Sequence, residues 1–298
     1  MTLFSYEIFD AVARQGSFNK AAQQLHLTPS AISHAIAVME EELGFALFNR
    51  GKNGVTMTSY GASLYPSIRA VLNSDEALKQ SIARLNGLEK GKVKLGAFNS
   101  ACAYLLPDIL KTFTAAYPQI EVEVYQGTYD DVKNWLRSGN VDLGFLSSNC
   151  CEDFAMTELM HDPLVCIAPK GYPAPKDGIM TPETLNGQKF VVQGDATDAD
   201  IRRFLKKYRI ETQRPAHVLD DMSNIAMVEA GIGLAILPQL VLKNCTAAVD
   251  IYPIQPAEER IIGIAALRPG AMAPAVEQLY RHIVEMYPAN GPAAACPQ

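Results

Sequence analysis

One segment near the N-terminus carries side chains that could bind nucleic acid. From residue 30 to residue 43, apolar residues repeat at helical spacing along one face. The opposite face carries small and polar side chains, which are Ser30, Ser33, His34 and Ala37. Small residues let a helix approach base edges in the major groove of B-DNA, about 12 Å wide, where hydroxyl and imidazole groups can form hydrogen bonds. This face predicts base recognition; the alternative is the solvated outside of an ordinary three-helix bundle.

Local signals place this face on the second helix of a helix-turn-helix. Thr28 followed by Pro29 is typical of a helix start, and Gly44 is a typical helix stop. A shorter helix is predicted to begin after Ser17, and a tight turn at residues 26–28 joins the two. The two helices and their turn therefore predict a DNA-binding motif of known geometry.

A hairpin, or wing, is predicted after these helices, because the turn-rich residues 50–54 separate two short apolar runs. Its cations Arg50 and Lys52 suit contacts to phosphates or to the minor groove. Residues 1–66 nevertheless carry four Lys or Arg against five Asp or Glu. Because no bulk basic charge marks this region, the prediction of DNA binding rests on the motif.

Motifs for catalysis, cofactors and metals are missing from the sequence. It contains no G-x-S-x-G, no H-E-x-x-H and no phosphate-binding G-x-x-x-x-G-K-[ST]. The pair Asp220–Asp221 is predicted to be a solvated loop pair, since adjacent side chains near a strand point apart. Six cysteines form no C-x-x-C pair, and we interpret the adjacent Cys150 and Cys151 as free thiols. The sequence predicts no enzyme, no cofactor and no metal.

Length and composition indicate several folded domains. The 298 residues, 48% hydrophobic and 19% charged, predict two or three domains with substantial apolar cores. No apolar run reaches the roughly 18 residues that indicate a membrane span. The first ten residues lack a basic leader, so we expect a cytoplasmic protein.

A long helix is predicted from about residue 59 to residue 86. Side chains spaced four and three residues apart form a mostly apolar stripe along it, which comprises Leu64, Ile68, Val71, Asp75, Leu78, Ile82 and Leu85. Such a heptad stripe is typical of a coiled-coil seam and predicts pairing with a second copy of the chain. An amphipathic helix lying on its own domain is the alternative. Pro66 is expected to bend the helix or to mark its junction with the first domain.

From residue 91 onward, short apolar strands alternate with amphipathic helices. Strands predicted at residues 93–98, 121–125 and 141–146 are separated by helices, and a strand at 164–168 precedes a second run of the same rhythm. The two runs predict two α/β lobes with parallel-rich sheets, and the strand at 261–267 returns to the first lobe. Ligands of such sheets bind beyond the carboxyl ends of the strands, in the cleft between lobes.

The N-terminal region resembles the winged helix-turn-helix of the LysR-type transcriptional regulators. The matching landmarks are Ser17-Phe18, Ala21-Ala22, Leu25, Ala31, Ser33, Leu43-Gly44, Leu47-Phe48, Arg50, Thr58 and Gly61. Farther along, the landmarks of the family's effector domain are Leu105-Leu106-Pro107, Phe113, Tyr117-Pro118, Asp142-Leu143-Gly144 and Leu237-Pro238. Pro29-Ser30 and His34 depart from the Gln-Pro and Arg that many members carry at these places.

The resemblance implies which residues contact DNA and how the chain assembles. It places DNA contacts on Thr28, Pro29, Ser30, Ser33 and His34, with Arg50 and Lys52 in the wing. The long helix would pair two chains on double-stranded DNA, and dimers of the family commonly form tetramers. A homodimer that assembles into a homotetramer is therefore expected.

The resemblance also implies a small-molecule effector between the two lobes. The matching positions are Asn99, Ser100, Ala101, Thr128, Leu146, Ser147, Gln193, Asp195, Thr197, Met222 and Ser223. A helix N-terminus at Ser100 favours an anion. Asp195 and Asp198 favour an amino group instead, unless either acid caps the helix that follows. We therefore predict an anionic or zwitterionic effector.

The combined prediction is an N-terminal all-α winged helix-turn-helix, a long linker helix and a two-lobed α/β effector domain similar to periplasmic binding proteins. The predicted boundaries are residues 1–58, 59–90 and 91–298, with lobe I at 91–163 and 268–298 and lobe II at 164–267. The predicted function is a sequence-specific DNA-binding transcriptional regulator that a small effector switches. The alternative is a solute-binding or enzymatic α/β module with a helical appendage.

Overall fold

The computed structural model describes residues 1–51, 54–86, 90–151, 154–173, 175–193, 199–218, 220–266 and 269–288. The chain divides into two compact units. The first comprises Met1–Leu88 together with Arg137–Asn140, and the second comprises Glu89–Leu136 together with Val141–Gln298.

The described residues of the first unit form four helices and a β-hairpin. Their bounds are α1 Leu3–Gln15, α2 Phe18–Gln24, α3 Pro29–Leu43, β1 Phe48–Gly51, β2 Gly54–Met57 and α4 Ser59–Leu85. Each helix begins after a hydroxyl residue whose side chain accepts a backbone N–H of the first turn, and these caps are Thr2, Ser17, Thr28 and Thr58. Gly44 ends α3 at φ 79°, a left-handed conformation that glycine adopts without strain. The predicted helix-turn-helix with its wing is confirmed.

A buried polar contact joins α1 to α4 in this unit. Asp10 and Arg69 are 8% and 4% exposed, and Asp10 Oδ2 lies 3.1 Å from Arg69 Nη1. The Tyr65 hydroxyl donates to Asp10 Oδ1 at 3.0 Å. Burial raises the pKa of Tyr65, and the negative charge of Asp10 raises it further, so the hydroxyl keeps its proton. Such a pair fixes one helix relative to the other, because breaking it would leave a charge buried alone.

The predicted seam of α4 divides into two parts. Ile68 is buried in the core of the first unit, and Leu64 packs partly against the same core. Farther along, the apolar side chains are 45%, 60%, 50% and 87% exposed at Val71, Leu78, Ile82 and Leu85. The helix continues through Pro66 as one element. Its C-terminal half therefore carries an apolar stripe that the described part of this chain leaves exposed.

The second unit is built from alternating strands and helices. Its first part contains β3 Gly91–Phe98, α5 Asn99–Tyr104, α6 Leu106–Ala116, β4 Ile120–Gly127, α7 Tyr129–Ser138, β5 Leu143–Ser147 and β6 Ala155–Pro169. The next part contains α8 Pro182–Leu185, β7 Lys189–Gln193, α9 Ala199–Lys207, β8 Gln213–Val218, α10 Asp221–Glu229 and β9 Ala235–Pro238. The chain then forms β10 Val249–Pro253, β11 Glu259–Ala266 and α11 Pro274–Met286.

The main sheet is curled and mixed. Its strand order is β10-β6-β11-β5-β3-β4, with β9 also beside β6, while β7 and β8 form a separate parallel pair. Strand β3 runs parallel to β4 and β5, as the βαβ pattern predicts. Strand β6 pairs antiparallel with β9, β10 and β11, and β11 pairs antiparallel with β5. The two-lobed α/β architecture is confirmed, and the strands that cross between the lobes are antiparallel.

Strand β6 is longer than the sequence indicates. Only residues 164–168 are predicted as strand, whereas β6 spans the 15 residues of Ala155–Pro169 and passes the predicted lobe boundary at residue 163. The first half of β6 mixes charged and apolar side chains and carries no strong local strand signal. Its pairing with β11 orders it instead, and this pairing runs from Ala155 to Pro163 with one register shift between Ile262 and Gly263. Tertiary pairing therefore extends the strand beyond its local propensity.

Among the described residues, none of the helices is long and apolar enough to cross a membrane. In that same part of the chain, no group of three or more His, Cys, Asp or Glu is placed to hold a metal ion.

Candidate DNA-binding helix and ligand cleft

The capped start of α3 positions its outward face. Thr28 Oγ1 accepts the backbone N–H of Ala31 at 3.2 Å, and Pro29 occupies the first helical position. The buried face of α3 consists of Ile32, Ile36 and Met39. On the other side Ser30, His34 and Ala37 are exposed, and Ser33 is half-buried. The structure thus presents the predicted small and polar residues on one continuous surface.

Arg50 of the wing is attached to α3. Its Nη1 donates to Ser33 Oγ at 3.2 Å, and its guanidinium lies 4.7 Å from the centre of the Phe18 ring. A cation above an aromatic ring is stabilised by the ring quadrupole. Arg50 is therefore oriented by α2 and α3 while it remains exposed to solvent. Lys52, the other predicted wing cation, lies outside the described residues.

A cleft in the second unit is the candidate ligand site. Its empty volume is about 470 Å³ including the open mouth. It is lined by Phe98, Asn99, Ser100, Gly127, Thr128, Tyr129, Asp200, Ile201, Asp221, Pro238 and Arg260. These residues come from the carboxyl ends of β3, β4 and β9, from the starts of α5, α7, α9 and α10, and from β11. This placement agrees with the general rule for ligands of α/β sheets.

Arg260 is the centre of the polar wall of this cleft. It is 5% exposed, and its Nε and Nη2 lie 2.8 Å and 2.7 Å from Asp162 Oδ2. Its Nη1 donates to the Tyr129 hydroxyl at 3.2 Å, and Nη2 also donates to Ser100 Oγ at 2.9 Å. The guanidinium lies 5.1 Å from the centre of the Phe98 ring. One buried cation therefore organises side chains from four separate parts of the second unit.

Asp200 is the second charged group of the wall. It is 7% exposed and accepts hydrogen bonds from Tyr129 at 3.1 Å, Ser147 at 2.9 Å and Asn149 at 2.8 Å. Tyr129 therefore bridges Asp200 and Arg260, since its hydroxyl accepts from the cation and donates to the carboxylate. Three donors satisfy a buried carboxylate well, which is the condition for keeping such a charge in the interior.

Burial and charge shift the pKa values of these groups in a consistent way. Burial raises the pKa of Tyr129, so this hydroxyl keeps its proton for Asp200. Burial disfavours the charged form of Arg260, but the neighbouring Tyr129 and Asp162 outweigh it and raise the pKa. Arg260 thus stays charged and Tyr129 stays protonated at neutral pH.

The cysteines near this region show no sign of activation. Cys150 and Cys151 are free thiols. Burial, with the nearby charge of Asp200, raises the pKa of Cys150 to about 11. A reactive cysteine needs the opposite shift, because the thiolate is the nucleophile. Burial therefore keeps the Cys150 thiol protonated at neutral pH.

The residues predicted around Ser100 separate into two groups. Asn99, Ser100 and Thr128 line the cleft. Ala101 and Leu146 are fully buried in the core of the second unit, so they have no surface to offer a ligand. Here the structure corrects the prediction, because a residue next to a lining residue on a helix or strand points in another direction.

The other predicted effector residues take different places. Ser147 is fully buried and supports the wall through Asp200. Ser223 donates its hydroxyl to Asp220 at 2.7 Å, so it forms part of the cap of α10. Met222 is 64% exposed and is absent from the cleft lining. Gln193 ends β7, and nothing further is described of its side chain. Asp195 and Thr197 lie outside the described residues.

The pair Asp220–Asp221 is no solvated loop pair. Asp220 is the N-cap of α10, and its hydrogen bonds from the Ser223 backbone and hydroxyl lower its pKa. Asp221 is the first residue of α10 and lines the cleft. The prediction was wrong because a helix begins at this point, and capping separates the roles of two adjacent acids.

Sequence reasoning missed the charged wall. Tyr129, Asp162, Asp200 and Arg260 were not among the predicted site residues. The one available signal is Arg260, a single cation directly before the apolar run of residues 261–267. Because charged residues are rarely buried without a partner, a cation beside a core strand indicates a buried ion pair.

Both units match known families. Residues 3–62 match the bacterial regulatory helix-turn-helix protein, lysR family, and residues 86–288 match the LysR substrate binding domain. YvbU of Bacillus subtilis, named an uncharacterized HTH-type transcriptional regulator, is 31% identical over 248 residues, which cover 82% of this chain and 84% of YvbU. The chain belongs to the LysR family and is a LysR-type transcriptional regulator.

Solved structures share the fold. A full-length OxyR variant from Pseudomonas aeruginosa superposes with a TM-score of 0.75 at 21% identity and covers 95% of each chain. The effector binding domain of QuiR, in complex with shikimate, superposes with a TM-score of 0.60 at 20% identity, covering 67% of this chain and 99% of QuiR. At these identities the likeness extends to the fold.

Proposed function

We propose that this regulator binds a small anionic or zwitterionic effector in the cleft of the second unit and reads DNA with α3 as a homodimer. The observation that carries the effector part is the bond from Arg260 Nη2 to Ser100 Oγ on the cleft wall. Ser100 is not the cap of its helix, because α5 begins after Phe98 without a side-chain cap.

Ser100 is a polarised donor in this arrangement. Its oxygen accepts a hydrogen bond from a full positive charge, so its own proton is available for an acceptor in the cleft. A hydrogen bond chain that starts at a cation strengthens each following donor. Asn99 lies beside it with its Oδ1 engaged by Gln126 at 3.0 Å, which leaves the Asn99 amide hydrogens to donate. The β3 side of the cleft therefore favours an acceptor such as a carboxylate.

The α10 part of the cleft lining carries a negative charge, which favours a positively charged or donor group on the ligand. Asp221, the first residue of α10, contributes a carboxylate to the lining. A ligand with an acceptor at one end and an amino or hydroxyl group at the other would match both sides. Shikimate, the ligand of QuiR, is a hydroxylated carboxylate and is therefore the first compound to test.

The change Ser100→Ala tests the effector site. Loss of a hydroxyl that bonds a charged ligand costs about 1.5–3 kcal/mol, or roughly 10- to 150-fold in affinity. A thermal-shift screen of small carboxylates and amino acids, beginning with shikimate, supplies the ligand, and calorimetry measures its affinity. Ser74→Ala is the matched control, since that hydroxyl bonds only within α4, to the Ala70 carbonyl. Equal affinities for Ser100→Ala and wild type would remove Ser100 from the site.

The changes Ser33→Ala and His34→Ala test DNA reading by α3. Each lost base contact is expected to weaken binding to the preferred sequence by roughly 1–3 kcal/mol and to relax the preference. Arg50→Ala is expected to weaken all sequences more evenly and to flatten the salt dependence. Gel-shift titrations with a duplex selected from random DNA give both quantities. Unchanged sequence preference in Ser33→Ala and His34→Ala would exclude α3 from base reading.

The exposed stripe on the C-terminal half of α4 supports pairing of two chains. Four apolar side chains at heptad spacing are 45% to 87% exposed. Exposing an apolar stripe to water is unfavourable in a lone helix, and such a stripe is typical of a coiled-coil seam. A tetramer of two such dimers is the further part of this proposal.

We also propose that the protein acts in the cytoplasm and catalyses no reaction, as suits a regulator of bacterial DNA.

A further inference from the structure

The first unit contains a short segment that lies far along the chain. This segment, Arg137–Asn140, groups with Met1–Leu88 and is called the Gly139 turn below. Arg69 Nη2 and Asn73 Nδ2 each lie 3.0 Å from the Gly139 carbonyl oxygen and donate to it. Gly139 has φ +70°, and a Cβ built on it would lie 2.9 Å from Asn73 Nδ2. A side chain at this position would therefore strain the backbone and displace the Asn73 amide.

The same face of α4 connects the turn to the DNA-binding helices. The Tyr65 hydroxyl lies 2.8 Å from Asn140 Oδ1 and 3.0 Å from Asp10 Oδ1. Arg69, which holds the turn, is also the buried partner of Asp10 on α1. A change in the turn would therefore alter the surroundings of the ion pair that fixes α1 to α4.

The turn includes the last two residues of α7, Arg137 and Ser138, and the other end of α7 lies in the ligand cleft. Tyr129, the first residue of α7, bridges Asp200 and Arg260 with its hydroxyl. The helix is only ten residues long, from Tyr129 to Ser138. A ligand that separates or tightens the contact between Tyr129 and Asp200 therefore acts on the first residue of the helix that leads into the turn.

Helix α7 packs closely against two glycines of the neighbouring strands. A Cβ built on Gly144 of β5 would lie 2.6 Å from Val132 Cγ1, and one built on Gly127 would lie 2.7 Å from the Trp135 ring. The missing side chains at these two glycines let α7 pack closely against β4 and β5. A packed, continuous helix can carry coupling between two sites.

From these contacts we propose that the Gly139 turn is a regulatory latch on α4, and that α7 transmits the state of the ligand cleft to it. The latch rests on the proposed function, a DNA-reading regulator with an effector in the cleft. In the latched state, Arg69 and Asn73 hold the Gly139 carbonyl; in the released state, α4 loses these bonds. An effector shifts the balance to the extent that it binds one state more tightly.

A double-mutant cycle tests the latch without an identified effector. Tyr129→Phe alters the cleft end of α7, and Asn73→Ala removes one donor at the turn. The readout is the affinity of the full-length protein for a duplex selected from random DNA by wild type. We expect Tyr129→Phe alone to change this affinity by roughly 2- to 30-fold, and to change it by much less when Asn73→Ala is also present.

Glycine substitutions supply a second variant and its matched control. Gly139→Ala is expected to reproduce the loss of coupling, since the added Cβ would displace Asn73. Gly187→Ala carries a similar backbone strain, with φ +76°, but no atom lies within 4 Å of its Cβ. The control is therefore expected to leave the coupling at its wild-type size.

Three outcomes would overturn the latch: no effect of Tyr129→Phe on affinity, equal effects of Tyr129→Phe with and without Asn73→Ala, or equal loss of coupling in Gly187→Ala. Failure to select any duplex would count against the proposed function itself. In that case, hydrogen exchange on the same full-length variants still tests the latch. Tyr129→Phe should then raise amide exchange in residues 137–140, and unchanged exchange there would reject the latch.

Discussion

Replacing Leu78 by aspartate is expected to produce a monomer that no longer binds an operator of two half-sites. The side chain is 60% exposed in the protomer, so the substitution leaves the core of its own unit intact. In a seam formed by two copies, each lost leucine removes about 1.5–3 kcal/mol of apolar burial, and facing carboxylates add repulsion. The dimer dissociation constant should therefore rise by at least roughly 100-fold.

Sedimentation at micromolar concentration and a gel shift with the selected duplex measure the two effects. Leu78→Met is the matched control, because it keeps an apolar side chain of similar volume at the same position. A Leu78→Asp protein that still sediments as a dimer would reject the proposed seam. A monomer with unchanged DNA affinity would instead show that a single winged helix-turn-helix is sufficient.

The second large effect is expected at Arg260, where methionine should destabilise the protein by about 3–5 kcal/mol. Asp162 is 2% exposed and pairs with the guanidinium at 2.7 Å, so removal of the cation leaves its charge buried without a counter-charge. The backbone N–H of Leu240, which donates to Asp162 Oδ1 at 2.8 Å, cannot replace a full charge. Urea denaturation followed by circular dichroism measures the loss.

The matched control combines Arg260→Met with Asp162→Leu. Replacing both partners of a buried ion pair by apolar residues is often neutral or stabilising, whereas removing one partner is not. The double variant should therefore recover most of the lost stability. If it is no more stable than Arg260→Met alone, the unpaired charge is not the cause of the loss.

Much of the first unit could be predicted from local sequence. Thr28, Pro29 and Gly44 mark the two ends of α3 within a residue, because capping depends on neighbours three or four positions away. The heptad spacing of α4 is likewise local, and it correctly marked a helix that begins at Ser59. The landmarks of the LysR family also predicted the order of the two domains, with the helix-turn-helix before the effector domain.

The cleft was only partly predictable. The carboxyl ends of β3 and β4 were expected to carry the site, and Asn99, Ser100 and Thr128 do line it. Ala101 was expected beside them but is fully buried, since the rotation of a short helix decides which of two neighbours faces a cleft. Sequence alone does not give that rotation.

Sequence by itself determined α3 and α4, because each depends on spacing within one element, and the resemblance to the LysR family supplied the class of protein. Only the tertiary structure decided the charged wall. There Arg260 contacts Asp162, Tyr129 and Ser100, which precede it in the sequence by 98, 131 and 160 positions. No periodicity relates such positions, and the antiparallel pairing of β6 and β11 that places Arg260 opposite Asp162 is itself a long-range contact. Burial of a charge requires partners, and folding alone brings these partners together.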